Sequence, residues 1–335
     1  MKFFPESALV QLEYEKVKTL LAAHGRTEYA KEKAANLRIH TRKEFIHTEL
    51  QQSYEFKLLL LGGQHFPNDF THGLSKELKL IGIPGAVLSG EQFLLIRKLT
   101  ENTGSIFRWF DNDRRTAYPA LAQVVKDSYY ERVIIELIDE VLDEAGQVKD
   151  TASEELAGIR MNLYRKRNEL RRVFDRIVSK LNKQGYLADI EESFMNGRRV
   201  LAVYAEQKRM IKGILHGESD SRRTSFIEPE ETTELNNAIF SLENDERKEV
   251  YRILRKLTQD LSVYASLLKA YHAIAGEYDF IRAKARFALE YNGNLPVVVD
   301  KAQVKLIQAY HPLLYLYNKA NDKPTIPVDI SLHEK

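Results

Sequence analysis

Seven basic side chains crowd into residues 196–227: Arg198, Arg199, Lys208, Arg209, Lys212, Arg222 and Arg223. Only Glu206, Glu218 and Asp220 oppose them, a local surplus of four in a chain whose formal net charge is +2. Clustered Arg and Lys offer charge-assisted hydrogen bonds to phosphate, and such contacts fix position without reading base identity. Because the whole chain is nearly neutral, nucleic-acid binding has to be local to this stretch. Composition alone weighs equally for a solvated turn region. His216, beside Gly217, reads as a loop or phosphate contact rather than a general base.

Other chemistry finds little support. No G-x-x-x-x-G-K-[ST], G-x-S-x-G, H-E-x-x-H or EF-hand loop occurs, so no nucleotide loop, hydrolase elbow or known metal motif is expected. His65 and His72 flank a loop but lack an acidic third partner at helical spacing, which favours ordinary surface histidines over a metal pair. Carboxylates cluster only in residues 228–249, where a solvated or ion-paired helix face explains them. We therefore expect no catalytic residue, metal ligand or cofactor in the chain itself.

The elements that must position the basic cluster are legible. Asn196-Gly197 is a two-residue hairpin signal, since a type I′ turn needs positive φ at both positions. Strands are predicted over 199–204, 210–215 and 224–227, and Pro229 suits a first helical turn. On the way in, Leu156, Ile159, Leu163, Leu170, Val173, Ile177 and Leu181 recur at heptad-like spacing. On the way out, Leu235, Ile239, Leu242, Ile253, Leu257, Leu261, Tyr264, Leu268 and Tyr271 do the same. This is a coiled-coil seam, so the cluster is expected at the tip of an antiparallel helical stalk. Nine basic residues in 160–183 would face eight acidic ones in 228–249 across that seam, which would cancel much of the basic arm's field. That makes the tip the better binding candidate. The returning helix is expected to run from 230 to about 289, on the order of 90 Å, with Gly276 as a bend.

Elsewhere, residues 6–61 and 133–142 read as helix. Ser89 with Gln92 and Thr151 with Glu154 read as capping boxes, and residues 297–299 as a strand. At 335 residues the chain can hold two or three domains, and its 29% of charged residues suits an exposed helical stalk. It has no cysteine, no signal-peptide core and no apolar run of the roughly 20 residues a membrane span needs. A soluble cytoplasmic protein with no membrane partner is expected.

Two segments make a resemblance specific: Ile211-Lys212-Gly213-Ile214-Leu215-His216-Gly217-Glu218-Ser219, and Thr224-Ser225-Phe226-Ile227-Glu228-Pro229 followed by Glu234-Leu235-Asn236-Asn237. Gly146-Gln147-Val148-Lys149-Asp150-Thr151-Ala152-Ser153 and His311-Pro312-Leu313-Leu314 add to them. The chain resembles the second bacterial subfamily of MutS proteins (the endonuclease MutS-II type). The resemblance implies a mainly α fold: a helical core, a long antiparallel lever, a small β-rich clamp and the first strands of an ATPase domain. Core would be 1–127 and 270–295, lever 128–185 and 228–269, clamp 186–227 and ATPase start 296–335. The family's phosphate loop would follow Lys335, so the chain would be a fragment cut before the ATP site. ATP, Mg²⁺ and the nuclease domain would belong to the intact homodimeric protein, an ATP hydrolase with a capacity for endonuclease activity. Mismatch-repair relatives carry an aromatic near the adenine where Thr325-Ile326-Pro327 stands here, so adenine contact is carried to Thr325 and Ile326. The chain starts in core helices, without the Phe-x-Glu domain that reads mismatches. The implied partner is branched or structured DNA, with suppression of recombination. The alternatives are a clamp on collided ribosomes, through rRNA, and a purely structural dimerisation stalk.

Overall fold

The computed structural model of the chain describes residues 7–333. The expected start of helix at residue 6 and the end of the 296–335 segment lie outside the described residues. Helices α1 (Ala8–Gln11), α2 (Tyr14–Ala23), α3 (Glu28–Ala35), α4 (Lys43–Leu61), α5 (Ser75–Leu80), α6 (Gly90–Trp109), α7 (Asn112–Ala117), α8 (Pro119–Ala122) and α9 (Val133–Val141) come first. The long α10 (Glu154–Lys183) leads into strands β1 (Leu187–Met195), β2 (Arg198–Tyr204), β3 (Gly213–Glu218) and β4 (Thr224–Pro229). Then follow α11 (Glu230–Ser262), α12 (Ala265–Glu290), β5 (Gln303–Ala309), α13 (Pro312–Ala320) and β6 (Val328–His333). The fold is mainly α with small antiparallel sheets. It divides into two compact units. One holds the chain up to Pro84, Gln92–Leu137 and the chain from Leu261 on; the other holds Gly85–Glu91 and Ile138–Asp260.

The first unit is built round α12. Tyr271, Tyr278 and Ile281 are buried on one face and Phe280 and Ala283 on the opposite one, so this helix is apolar on most sides and takes the centre. Tyr278 and Ile281 pack with Phe56 and Leu59 of α4, Ile106 of α6 and Leu121 of α8. Two carboxylates organise the loops around this core. Asp279 accepts from the Thr27 amide at 2.7 Å and from its hydroxyl at 3.0 Å, and pairs with Arg282 at 2.9 Å. Thr27 in turn caps α3 by accepting from the Ala30 amide. Glu55 accepts from the amides of Ala120 and Leu121 and so satisfies the start of α8 from another helix.

The helix expected over 230–289 is broken at Val263-Tyr264 rather than bent at Gly276. Ser262, Val263 and Tyr264 are three successive weak helix formers. Gly276 sits inside α12 and is needed for packing: a Cβ there would lie 2.4 Å from the Tyr29 ring. Strands β5 and β6 form a two-stranded sheet in which Val304, Leu306, Val328, Ile330 and Leu332 are exposed.

In the second unit α10 and α11 pair through Leu163, Leu170 and Ile239, with Ile159, Leu235 and Leu242 packed beside them. These are members of the seam read from spacing. The cap of α10 is Ser153, not Thr151. Ser153 accepts from the Leu156 amide at 3.0 Å and donates to Glu249 of α11 at 2.6 Å, while Thr151 lies in a preceding 3₁₀ turn. The four strands order β1-β2-β4-β3, all antiparallel. Leu187, Leu201, Val203 and Ile227 bring one face of the sheet onto Phe174, Ile177 and Leu181 of α10.

Candidate nucleic-acid interface

The sheet at the stalk's end is closed by local chemistry. Asn196 (φ 52) and Gly197 (φ 77) make the two-residue turn between Met195 and Arg198, so the β1–β2 hairpin has its predicted turn. Strand β3 runs Gly213–Glu218 rather than 210–215, because residues 205–210 wind into a 3₁₀ helix first. Pro229 ends β4 instead of opening the helix. Gly213 passes so close to β4 that a Cβ would lie 2.1 Å from the Glu228 carbonyl oxygen, so no other residue fits there without moving backbone. Between Leu215 and Gly217 the β3–β4 register slips by one, which leaves His216 as a bulged residue. Bulges re-aim side chains, and here the His216 ring turns onto Glu228.

Glu228 is fully buried and collects three donors. Arg198 Nη1 donates at 2.8 Å, Asn236 Nδ2 at 2.9 Å, and His216 Nε2 lies 2.6 Å from Oε2. Burial opposes ionisation of Glu228, but the bonds from Asn236, His216 and Arg198 outweigh it and hold the carboxyl below the ordinary carboxylate range. An ionised carboxylate only accepts, so His216 carries its proton on Nε2. Arg198 also donates to Asn237 Oδ1. Gly213, His216, Glu228, Asn236 and Asn237, all within the motif segments quoted above, thus join β2, β3 and β4 to the first turns of α11. His216 stands on a strand rather than in a loop and acts here as a structural tie.

The seven basic residues divide accordingly. Arg198 is tied to Glu228. Arg199 lies over the Phe174 ring with its guanidinium carbon 4.4 Å from the centroid, and pairs with Glu192 at 2.6 Å and Asp175 at 3.4 Å. Lys208 pairs with Glu218 at 2.8 Å. Three of the seven therefore meet acidic partners, and Glu228, Glu192 and Asp175 all lie outside the window in which the surplus was counted. Arg209, Lys212, Arg222 and Arg223 are exposed and form no ion pair among the described residues. Arg222 holds a left-handed backbone (φ 55), in a turn where its amide donates to the Ser219 carbonyl at 2.8 Å. A non-glycine residue in that region costs backbone energy.

The basic arm is cancelled only in part. Arg160 reaches Glu246 and Arg167 reaches Glu243, each at 2.7 Å across the seam. Lys166 pairs with Glu169 on its own helix at 2.8 Å. Arg172, Arg176, Lys180 and Lys183 are exposed without an ion pair among the described residues. The expectation that the acidic arm cancels most of the basic arm's field is met only at Arg160 and Arg167, in the half of α10 nearer Ser153, where Arg165 is exposed without an ion pair among the described residues. In the other half the opposing acids are either committed elsewhere, as Glu228 is, or turned to solvent, as Glu230, Glu231 and Glu234 are.

The remaining candidates lie apart from this cluster. Thr325 Oγ1 accepts from Asn318 at 3.2 Å, and the neighbouring Ile326 is 82% exposed; both belong to the first unit. His65 pairs with Asp69 at 3.4 Å, an acidic partner four residues on that the sequence reading overlooked, and His72 lies against the Phe70 ring. Among the described residues no group of three His, Cys, Asp or Glu side chains could hold a metal ion. Sequence reading missed the exposed Phe194 of β1 and Met210 beside Lys212. An apolar residue between Arg209 and Lys212 was the available signal for Met210; Phe194 follows an acidic run and carried none.

No family model matches the chain. Curated relatives do. The Endonuclease MutS2 of Aquifex aeolicus is 32% identical over 331 residues, covering 98% of this chain and 42% of that protein. The Endonuclease MutS2 of Bacillus mycoides is 32% identical over 317 residues, 92% of this chain and 39% of that protein. That of Lactococcus lactis subsp. lactis is 29% identical over 303 residues, 90% of this chain and 38% of that protein. The chain spans about two-fifths of the length of these relatives.

Proposed function

The chain belongs to the second bacterial MutS subfamily, that of the MutS2 proteins, and from that premise we propose that residues 186–227 are a clamp that holds the phosphate backbone of branched DNA. The observation that carries the reading is the division of the basic residues. Three anchor the sheet to itself and to α10, and four, Arg209, Lys212, Arg222 and Arg223, stand exposed on the scaffold so fixed. Rigid support matters because charge alone attracts any polyanion, whereas a fixed pattern of cations discriminates shape. In this reading residues 128–185 and 228–269 are the lever, and 1–127 with 270–295 the core.

The rest of the proposal concerns the longer protein. Residues 296–335 would open an ATPase domain, since the exposed apolar faces of β5 and β6 suit strands of a larger sheet better than an isolated pair. The residues present fit only the adenine side of ATP, where Ile326 offers an exposed apolar surface beside Thr325. The chain contains no stretch of the G-x-x-x-x-G-K-[ST] kind to hold phosphates or Mg²⁺. Bound there, ATP would supply the free energy for closing and releasing the clamp. The longer protein would act as a cytoplasmic homodimer that suppresses recombination, with an endonuclease activity of the kind its relatives' names state.

The test is binding of the chain to a four-way junction across a salt series. Four phosphate contacts imply a slope of log K against log salt of roughly −3.6. A slope near zero overturns the reading. A clear preference for structured rRNA over the junction would move the target to the ribosome.

A further inference from the structure

The uncompensated charge of the second unit does not stop at the sheet. Arg172, Arg176, Lys180 and Lys183 follow one another on α10 at steps of four, four and three. At 3.6 residues per turn they fall within about 80° of arc, well away from the Leu163, Leu170 and Leu181 seam, and extend over about 16 Å of helix. All four are exposed and unpaired among the described residues, whereas Arg160, Lys166, Arg167 and Arg171, earlier on the same helix, have acidic partners; the earlier Arg165, also exposed without an ion pair, stands apart from the row and bonds Asn162.

Local helix chemistry explains two of them. Lys180 and Lys183 stand in the last turn, where cations complement the helix dipole. It does not explain Arg172 and Arg176, which lie more than a turn earlier and repel each other as a like-charged i,i+4 pair. The row also joins the tip. Arg176 and Lys180 line a groove of about 390 Å³ together with Met210, Ile211 and Lys212. Glu230 and Glu231 line the same groove but pair with none of these cations among the described residues.

We propose that Arg172, Arg176, Lys180 and Lys183 form a track for the backbone of a DNA duplex arm, continuous through the groove with Lys212 and Arg209 of the tip. The proposal rests on the clamp reading and extends its surface. Charge complementarity selects the occupant: a straight row of cations along a helix matches a duplex edge, which carries one negative charge per roughly 1.7 Å of axis.

The experiment replaces Arg172→Gln and Arg176→Gln together in the whole chain. Junction binding, its salt dependence and thermal melting are then measured beside an Arg222→Gln, Arg223→Gln pair. The track predicts about tenfold weaker binding and a salt slope shallower by about 2. Melting should be unchanged or higher, because a like-charge repulsion is removed. Unchanged affinity and slope in the α10 pair, with weakened binding in the tip pair, overturns the track and leaves the clamp reading standing. A wild-type chain without salt-dependent binding sinks both. If the α10 pair melts early, Arg172→Gln alone is measured in its place: a slope shallower by about 1 supports the track, and unchanged affinity and slope overturn it.

Discussion

Replacing Glu228 by Ala leaves donors from Arg198, His216 and Asn236 without their acceptor at a site closed to water. Breaking a buried, multiply bonded charge pair from one side costs about 3 kcal/mol, and urea unfolding should show a loss of that order. Glu228→Gln keeps the shape and tests pH. The folded carboxyl binds its proton more weakly than its ordinary value of 4.5 implies. Its stabilisation is therefore complete above that value and is lost as pH falls through the lower folded pKa. The wild-type chain should lose stability on acidification in that window, and the Gln variant should lose less; equal acid sensitivity would remove Glu228 as the cause. Asp279 in the first unit behaves in the same sense. Burial raises its pKa, but the Thr27 amide and Arg282 prevail and hold it below 3.8. None of this was legible from Arg198 as a basic residue in a basic stretch, because its acceptor stands thirty positions away and the His216 ring that shares this acceptor is aimed by a bulge.

At the scale of elements, the stalk depends on how α10 begins. Ser153→Ala removes the cap on the Leu156 amide and the bond to Glu249, and caps of this kind contribute about 1 kcal/mol. Thr151→Ala should change stability little, since Thr151 makes no cap. A larger loss from Thr151 than from Ser153 in chemical unfolding would reverse that assignment. The seam residues and the Asn196-Gly197 turn could be read from spacing because period and turn chemistry are local properties. The cap was misplaced by two residues because Thr151-x-x-Glu154 and Ser153 compete for one role, and the 3₁₀ turn before the helix decides between them. The break at Val263-Tyr264 escaped for a related reason: a run of weak helix formers carries less signal than a glycine, yet Gly276 lies inside an unbroken helix, where its missing Cβ makes room for the Tyr29 ring. Charge pairing was half legible. Sequence places nine basic residues opposite eight acidic ones, but only side-chain geometry shows that, of these nine and among the described residues, Arg160 and Arg167 reach acids of α11 across the seam.

For the whole molecule, a formal net charge of +2 is too small to concentrate a polyanion by itself, so binding has to come from where charge is left uncompensated. Two sets of variants separate the total from its placement. Neutralising Arg209, Lys212, Arg222 and Arg223 to Gln takes the formal net charge to −2 by removing exposed cations that have no ion pair among the described residues. Neutralising Lys16, Lys31, Lys43 and Lys248 to Gln gives the same net charge, but each of these is already paired, with Glu13, Glu28, Asp300 and Asp245. Exposed pairs of that kind are worth about 0–1 kcal/mol each, so the second set should fold much as the wild type does. If long-range attraction by the whole chain governed binding, both sets would weaken it alike. If the local field of the tip governs it, the first set should weaken junction binding strongly and make the salt slope shallower by about 3.6. The second set should then keep affinity within a few-fold of the wild type, because its lysines never presented free charge to a phosphate. Equal losses in the two sets, measured at one ionic strength, would assign binding to net charge and remove the tip's claim to specificity.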